Sequence, residues 1–584
     1  MDSKIKIKRK KAGQLILALA IIILINVISS QIFTRIDLTA EKKYTLTDYT
    51  KESLKNLDGQ VFITIYLDGN DLPLQFKKFR NSVKEILDVF KMYSGQNFNY
   101  EFVDPTNEEN NVKERDLLFQ ELYYLGVVPV ENNEVNEGQA TQTLIFPSAV
   151  INYTYYDTDA DSLISRRVGL NLLNNDPNYE QSSPENINNS VQNLEYSFIN
   201  EIIKISKKEK PKIAFIEGHG ELSEIYVIEM EQKLSEYYNI MRGKIDGQYG
   251  RLDNFEAIII AKPTAQFSKE DKFVIDQYVM NGGKVLWLVD GINISMDSVY
   301  YYERAFAMPA YTQVLSIDDI LFTYGVRINT DILQDAFSSS IMLKGTSATG
   351  EVRNHWYQWF YFPLLITKNT HVINRYIDAV RTEFVSSIDT VGKNPEVTKT
   401  PLLTTSNMTR VMKVNMPWQV DFKEINETPD QKLFNAKDIP VAILLEGEFP
   451  SLFKGRMIDN LLPQKSLFKE KSVPTKMIVV ADGDIIKNVV KSDNQTMPLS
   501  FDKYSLYNYY GNEQFLMNAL NYLCDDEGLM SLRSREFKLR LLDNAVVSTK
   551  KSMWQFINLL LPIVLIIILG LVMHFIRIRK YTRK

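Results

Sequence analysis

Two apolar runs, one at each end, limit what this chain can fold into. The first follows "MDSKIKIKRKKAG" and extends from about Gln14 to Phe33; the second runs from Phe556 to Ile576. Each has the ~20 residues a helix needs to cross a bilayer core. Each carries positive charge on its terminal side: Lys4, Lys6, Lys8, Arg9, Lys10 and Lys11 before the first, Arg577, Arg579, Lys580, Arg583 and Lys584 after the second. The positive-inside rule then puts both termini in the cytoplasm and roughly 520 intervening residues outside the cytoplasmic membrane. Trp554 sits where an interfacial anchor is expected. Val27-Ile28-Ser29 is a poor small-x-small site and no cysteine lies near residue 30, so the first run reads as a retained anchor rather than a cleaved leader.

What lies between the runs is acidic. Of the 67 Lys and Arg, eleven sit in the two tails, so the remaining 56 face 71 Asp and Glu outside them. A body of that charge is a poor partner for nucleic acid. The basic tails read as topology signals that also touch anionic lipid. Hydrophobic residues make up 45 % of the chain, ample for packed cores. One cysteine, Cys524, excludes an intrachain disulfide, a CxxC redox pair and a cysteine-rich zinc site. Four scattered histidines argue against a multi-histidine metal cage.

Hydrophobic periodicity divides the body. After a lead-in segment in which Thr47 caps a short helix, strand, helix and strand follow at 61–67, 74–93 and 98–105, then a charged helix with Leu117, Leu118, Leu122 and Leu125 on one side that ends at Gly126, and a strand region at 143–156. This order implies an α/β domain over 37–206, closed by a linking helix at 187–206. A second α/β domain begins at 207. Its strands "KIAFIEG", "EAIIIAKP" and "KVLWLVDG" are apolar on both faces, as in a parallel sheet covered by helices on each side, and Ser268 is the expected cap of the helix over 268–283. Residues 292–438 read as an insertion. Strands resume at 439–449 and 476–484, and a helix over 512–523 leads through a stalk ending at 550. The ends, 1–36 and 551–584, are the tails and spans. The fold class is α/β with two flanking transmembrane helices.

The stretch "EGHGE" carries the clearest question. Glu217, His219 and Glu221 are compatible with a cation site, the glycine N–H groups with a phosphate cradle, and Gly218 and Gly220 with a tight turn. The turn reading, with Glu221 or Ser223 capping the next helix and His219 bonded to nearby backbone, is the favoured one. In a parallel sheet Glu217, Asp290 and Asp482 would all end strands on one edge, with Lys262 and Asp484 beside them, so a carboxylate cluster partly neutralised by one lysine is expected there. Glu217, His219, Glu221, Lys262, Asp290, Asp482 and Asp484 are therefore the ligand-binding candidates. "YYDTDADS" (155–162) lacks the glycine and terminal glutamate of a calcium loop and reads as a solvated turn. In "HWYQWFYF" alternation places Trp356, Gln358, Phe360 and Phe362 on one face; an aromatic core under the insertion is the favoured reading and a partner or glycan-contact patch the alternative, with Trp356 and Trp359 as candidate partner contacts, as are Asn26 and Pro562 in the spans.

Taken together, the two spans, "KKYTLTDYTKESLKNL", "KPKIAFIEGHGEL", "GGKVLWLVDG", "ADGDIIKN" and "GNEQFLMNALNYL" resemble, in order and over essentially the whole chain, the GldG family of gliding-motility proteins. The resemblance implies a thioredoxin-like N-terminal module and a later domain like the class I glutamine amidotransferases. It also implies partnership with an ABC permease and, through it, a cytoplasmic ABC ATPase, in support of gliding and associated protein secretion. Amidotransferase chemistry needs a cysteine nucleophile on a strand-to-helix turn. Cys524 lies instead in the helical run "NALNYLCDDE". Neither a G-x-S-x-G elbow nor a P-loop is present. The expectation is a non-enzymatic, cofactor-free, two-pass inner-membrane subunit of an ABC-type complex, with a periplasmic body and a possible homo-oligomeric arrangement. A solute- or glycan-binding receptor and an extracytoplasmic hydrolase are the alternatives.

Overall fold

The computed structural model describes residues 45–69, 72–106, 112–136, 139–174, 180–296, 307–346, 352–366, 371–375, 377–392, 394–414, 418–421, 430–457, 467–506, 510–526, 528–534 and 544–581, with Leu17 and Ile21 as isolated helical positions. The N-terminal basic tail, most of the first apolar run and Asn26 lie outside the described residues. The chain divides into two compact units, Met1–Arg535 and Glu536–Lys584.

The larger unit opens with a short helix α1 (Asp48–Lys55), whose Thr47 cap accepts a hydrogen bond from Thr50 N as expected. Then come β1 (Gln60–Ile65), α2 (Leu74–Ser94), β2 (Phe98–Phe102) and α3 (Val112–Tyr124). The strand region expected over 143–156 is divided at Phe146-Pro147. The hairpin β3 (Val130–Asn136) and β4 (Gln139–Ile145) precedes it, and β5 (Ser148–Asp157) and β6 (Ser162–Asn171) follow. The sheet order is β2-β1-β5-β6, with β1 parallel to β2 and antiparallel to β5. Phe76, Phe79, Val83, Leu87 and Phe90 of α2 are buried at three- and four-residue spacing in one core with Val61, Ile63 and Ile65. At about 1.5–3 kcal/mol for each large apolar side chain, this face holds α2 on the sheet. The long helix α4 (Pro184–Ser206) starts with Pro184 in its first turn and Ser183 as cap, and its Phe198, Ile199 and Ile202 close the same core.

The next elements are β7 (Lys212–Glu217), α5 (Ile228–Ser235), β8 (Asn239–Lys244), β9 (Ala257–Ala261), α6 (Lys269–Met280) and β10 (Lys284–Leu288). A β-rich region follows: β11 (Ile292–Asn293), β12 (Ala307–Thr312), α7 (Asp318–Tyr324), β13 (Val326–Ile328), β14 (Asp331–Asp335), β15 (Ser338–Thr346) and β16 (Val352–Leu365). It continues through β17 (Val380–Arg381), β18 (Ile388–Thr390), β19 (Val397–Thr404), β20 (Thr409–Lys413) and β21 (Trp418–Asp421). The unit is completed by β22 (Pro440–Gly447), β23 (Thr475–Val480) and α8 (Asn512–Leu523).

The central sheet has seven strands in the order β19-β22-β23-β10-β9-β7-β8. It is mixed, which corrects the expectation of a parallel sheet: β8, β7, β9, β10 and β23 are parallel, but β22 runs antiparallel to both β23 and β19. β19 also corrects the insertion boundary, because Val397–Thr404 falls within 292–438 and yet forms an edge of the main sheet. Alternate residues feed two separate cores. Ile213, Phe215, Ile259, Leu286 and Ile478 face one, and Ala214, Ile258, Trp287, Met477 and Val479 face the other. Two covered faces explain why these strands read as continuous apolar runs.

The smaller unit contains α9 (Asn544–Tyr581), within which Met553–Arg579 is long and apolar enough to cross a membrane. Pro562 lies inside this helix, and Lys550 departs from helical geometry ahead of the apolar segment. Pro removes one backbone donor, so a local bend is expected at Pro562.

Candidate functional site

The carboxyl ends of β9, β10 and β23 bring Lys262, Asp290, Asp482 and Asp484 together. Lys262 Nζ lies 3.1 Å from Asp290 Oδ2 and donates to Asp484 Oδ2. Backbone amides complete the cluster. Asp290 Oδ1 accepts from Gly483 N, at 2.5 Å; Asp482 accepts from Asp484 N at 2.7 Å and from Glu383 N at 2.8 Å. One oxygen from each of the three carboxylates can be chosen so that all lie within 4.8 Å of one another. Lys262 reaches this position on a strained backbone, with φ of 53°. A Cβ at residue 483 would stand 2.6 Å from the Lys262 Cβ, so only glycine lets the two loops approach this closely.

The electrostatics follow from burial and from one cation. Burial drives Asp482 well above the ordinary carboxylate range, and the neighbouring Asp484 and Asp290 add to it. Burial also raises Asp290, although Lys262 pulls it back. Asp484 is held low: burial pushes it up, but Lys262 and Lys487 outweigh that. Lys262 itself is pulled down by burial and raised further by Asp290 and Asp484, so it stays charged. The sheet edge where open α/β folds place ligands is thus occupied by the protein's own ammonium group.

EGHGE is built separately. Glu217 stands apart from the carboxylate cluster and pairs with Arg242 Nε at 2.8 Å; Arg242 also pairs with Glu231. His219 is 5 % exposed and stacks on Phe267 with ring centroids 3.7 Å apart. Its Nδ1 lies 3.0 Å from Glu221 Oε1 and its Nε2 3.2 Å from Asp271 Oδ2. A carboxylate beside each ring nitrogen favours the doubly protonated ring, in which both nitrogens donate. Burial lowers the imidazole's affinity for the second proton, but Glu221 and Asp271 raise it further, so the net shift is upward.

The favoured turn reading is corrected in its details. His219 is held by carboxylates as well as backbone, Glu221 accepts from His219 N at 2.7 Å instead of capping a helix, and the Ser223 side chain makes no cap bond. The glycines do serve the turn, at φ of 115° for Gly218 and 71° for Gly220. His219 O accepts from Thr264 N and Ala265 N, which pins the turn to the loop leaving β9.

Asp271 was not among the sequence candidates. Its signal was Ser268-x-x-Asp271, a capping pair: Ser268 Oγ accepts from Asp271 N at 3.0 Å and donates to Asp271 Oδ2 at 2.7 Å. Trp356 is 53 % exposed, whereas Trp359, also a candidate partner contact, is 2 % exposed and belongs to the core of the β-rich region. Trp359 and Tyr361 share a face by alternation; the register shift between Ser338 and Ser340 breaks that alternation at Phe362, which is buried with them although it was expected on the Trp356 face. The 155–162 segment comprises the end of β5, a turn at 158–161 and the first residue of β6, with Asp157 Oδ1 accepting from Asp159 N. Cys524 caps the end of α8, and burial pushes its thiol up to about 12.

Three comparisons bear on identity. A relative in Borreliella burgdorferi, described as an uncharacterized protein, is 22 % identical over 598 residues and covers 99 % of both chains. A solved structure, the mmIFT52 N-terminal domain, overlaps 54 % of this chain and 98 % of its own at 13 % identity with a TM-score of 0.31, too low to support a shared fold. Residues 40–152 match a domain of unknown function. The profile described as "ABC-type uncharacterized transport system" matches residues 210–519, more than half of the chain and all of the central sheet, and the chain therefore belongs to that family of ABC transport auxiliary proteins.

Proposed function

We propose that this protein is a non-enzymatic, membrane-anchored auxiliary subunit of an ABC-type transport complex. Its α/β body lies outside the cytoplasmic membrane and its two terminal spans pack beside a permease that is served by a cytoplasmic ATPase. The observation that carries the non-enzymatic part is the cluster at the sheet edge: Lys262 sits among Asp290, Asp482 and Asp484 where a substrate or metal would otherwise bind. The single thiol supports the same reading, since a Cys524 raised to about 12 is a poor nucleophile at neutral pH. Family membership supports the transport context. The GldG-like role in gliding and secretion, the thioredoxin-like first domain and the amidotransferase-like second domain belong to this proposal. The four-stranded mixed sheet and the central sheet with apolar faces on both sides are compatible with them.

The test is purification of the intact chain in mild detergent with mass spectrometry of what accompanies it. Recovery of a permease and an ABC ATPase in fixed ratio is expected. Recovery of the chain alone from cells that express a transporter operon, together with turnover of an amide, ester or glycoside by the purified protein, overturns the reading.

A further inference from the structure

Next to the carboxylate cluster, between β23 and the β-rich region, is a second feature that the subunit reading does not use. It is a polar cavity of about 230 Å³. The volume lies below the ~300–1,000 Å³ typical of drug-sized ligands, so a guest must be small. Six charged side chains line it in balance: Arg381, Lys487 and Lys503 against Glu383, Asp484 and Asp502. An electroneutral lining favours a guest without net charge, and its separated signs favour one that carries both.

Three lining side chains hold buried polar atoms without a hydrogen bond: Arg381 Nη2, Asp484 Oδ1 and Asn488 Oδ1. Most of their neighbours are already committed. Arg381 Nη1 bonds Glu383 at 2.9 Å, while Nε lies 3.1 Å from Asp502 without forming a hydrogen bond. Asp484 Oδ2 is taken by Lys262, and Lys487 stands 3.7 Å from Oδ1. Asn488 is 1 % exposed, and its Nδ2 donates to Ile225 O at 2.9 Å. An unmet buried donor or acceptor costs about 1–3 kcal/mol, more when charged, so such atoms around one cavity call for a partner inside it. The donor is a guanidinium N–H, which suits a carboxylate. The acceptors are a carboxylate and an amide oxygen, which suit an ammonium group. Arg381 and Asp484 are close enough for the guanidinium to lower the Asp484 carboxyl.

We propose that this cavity binds a small zwitterion of the α-amino acid class, its carboxylate on Arg381 and its ammonium between Asp484 and Asn488. The inference does not depend on the transport-subunit reading, and it adds no reaction.

Isothermal titration and thermal melting of the detergent-solubilised full chain test it against a panel of the common L-amino acids. Acetate, methylammonium and glucose serve as controls at equal concentration. At least one amino acid is expected to give saturable heat and to raise the melting temperature by about 2 °C or more at saturation, with none of the controls doing so. Arg381→Lys keeps the charge but loses the second fork nitrogen, and Asp484→Asn removes the charge facing the ammonium. Each is expected to weaken binding at least about tenfold, the loss of one charge-assisted hydrogen bond. If no amino acid binds, the cavity holds only water and the proposal fails. It fails equally if acetate or glucose binds as well as the amino acid, or if both folded variants bind like wild type. Should either variant not fold, the panel on wild type decides alone.

Discussion

His219 sits between two carboxylates, Glu221 and Asp271, in a site that leaves it 5 % exposed. Its folded pKa is raised above the ~6.5 of the unfolded chain. The stabilisation is therefore complete below about pH 6.5 and is lost as pH climbs through the folded value. His219→Gln is expected to cost about 2–3 kcal/mol at pH 6, because it leaves Glu221 and Asp271 without their cation. Thermal melts from pH 6 to 9 should show wild type converging on the variant; a constant gap would contradict the protonated state. Lys262 has the same relation to a denser group of carboxylates. Lys262→Ala is expected to lose about 3–5 kcal/mol and to become responsive to divalent cations. Millimolar magnesium or calcium should raise the melting temperature of the variant and leave wild type unchanged, since the lysine already fills the site.

At the scale of elements, β16 puts two tryptophans three positions apart on opposite faces, one exposed and one buried, as alternation requires. Trp359→Ala is expected to cost about 3–5 kcal/mol as a core truncation, and Trp356→Ala to stay within about 0.5 kcal/mol. Urea titration of the two variants checks the contrast. The β15–β16 hairpin shows where sequence reading stops. Alternation put Phe362 on the Trp356 face, yet it is buried with Trp359 and Tyr361, because faces alternate only while the register holds and the shift near Ser338 was invisible without knowing the partner strand. Elements set by local chemistry were legible: the Thr47 and Ser268 caps, the α2 stripe, and the strands whose ends carry Lys262, Asp290 and Asp482. The antiparallel turn of β22 was not, because an apolar run buried on both faces has the same pattern in either direction. Asp271 and Arg381 were missed for a related reason. Each acts on a residue dozens of positions away, His219 in one case and Asp502 in the other.

At the scale of the whole molecule, the proposed two-pass arrangement makes a labelling prediction. In a Cys524→Ser background, Ser162→Cys at the exposed start of β6 should react with an impermeant thiol reagent in intact cells, and Ser3→Cys should not. Reaction at residue 3 would overturn a cytoplasmic N-terminus. The larger unit adds a point about where its chain ends are fastened. Leu46 is buried in the first domain's core, and Thr47 is tied to Glu195 of α4 through its amide and hydroxyl, both at 2.8 Å. Leu532, at the far end of the unit, is buried in that same core, and Met530 meets Tyr196 of α4 at 3.5 Å. Both ends are therefore clamped to one helix, although almost five hundred residues separate them along the chain. Tension applied between these two ends, as two membrane tethers of the proposed topology would apply it, would be borne by α4 and its core. The seven-stranded sheet, a long side loop in mechanical terms, would carry no load until that clamp broke.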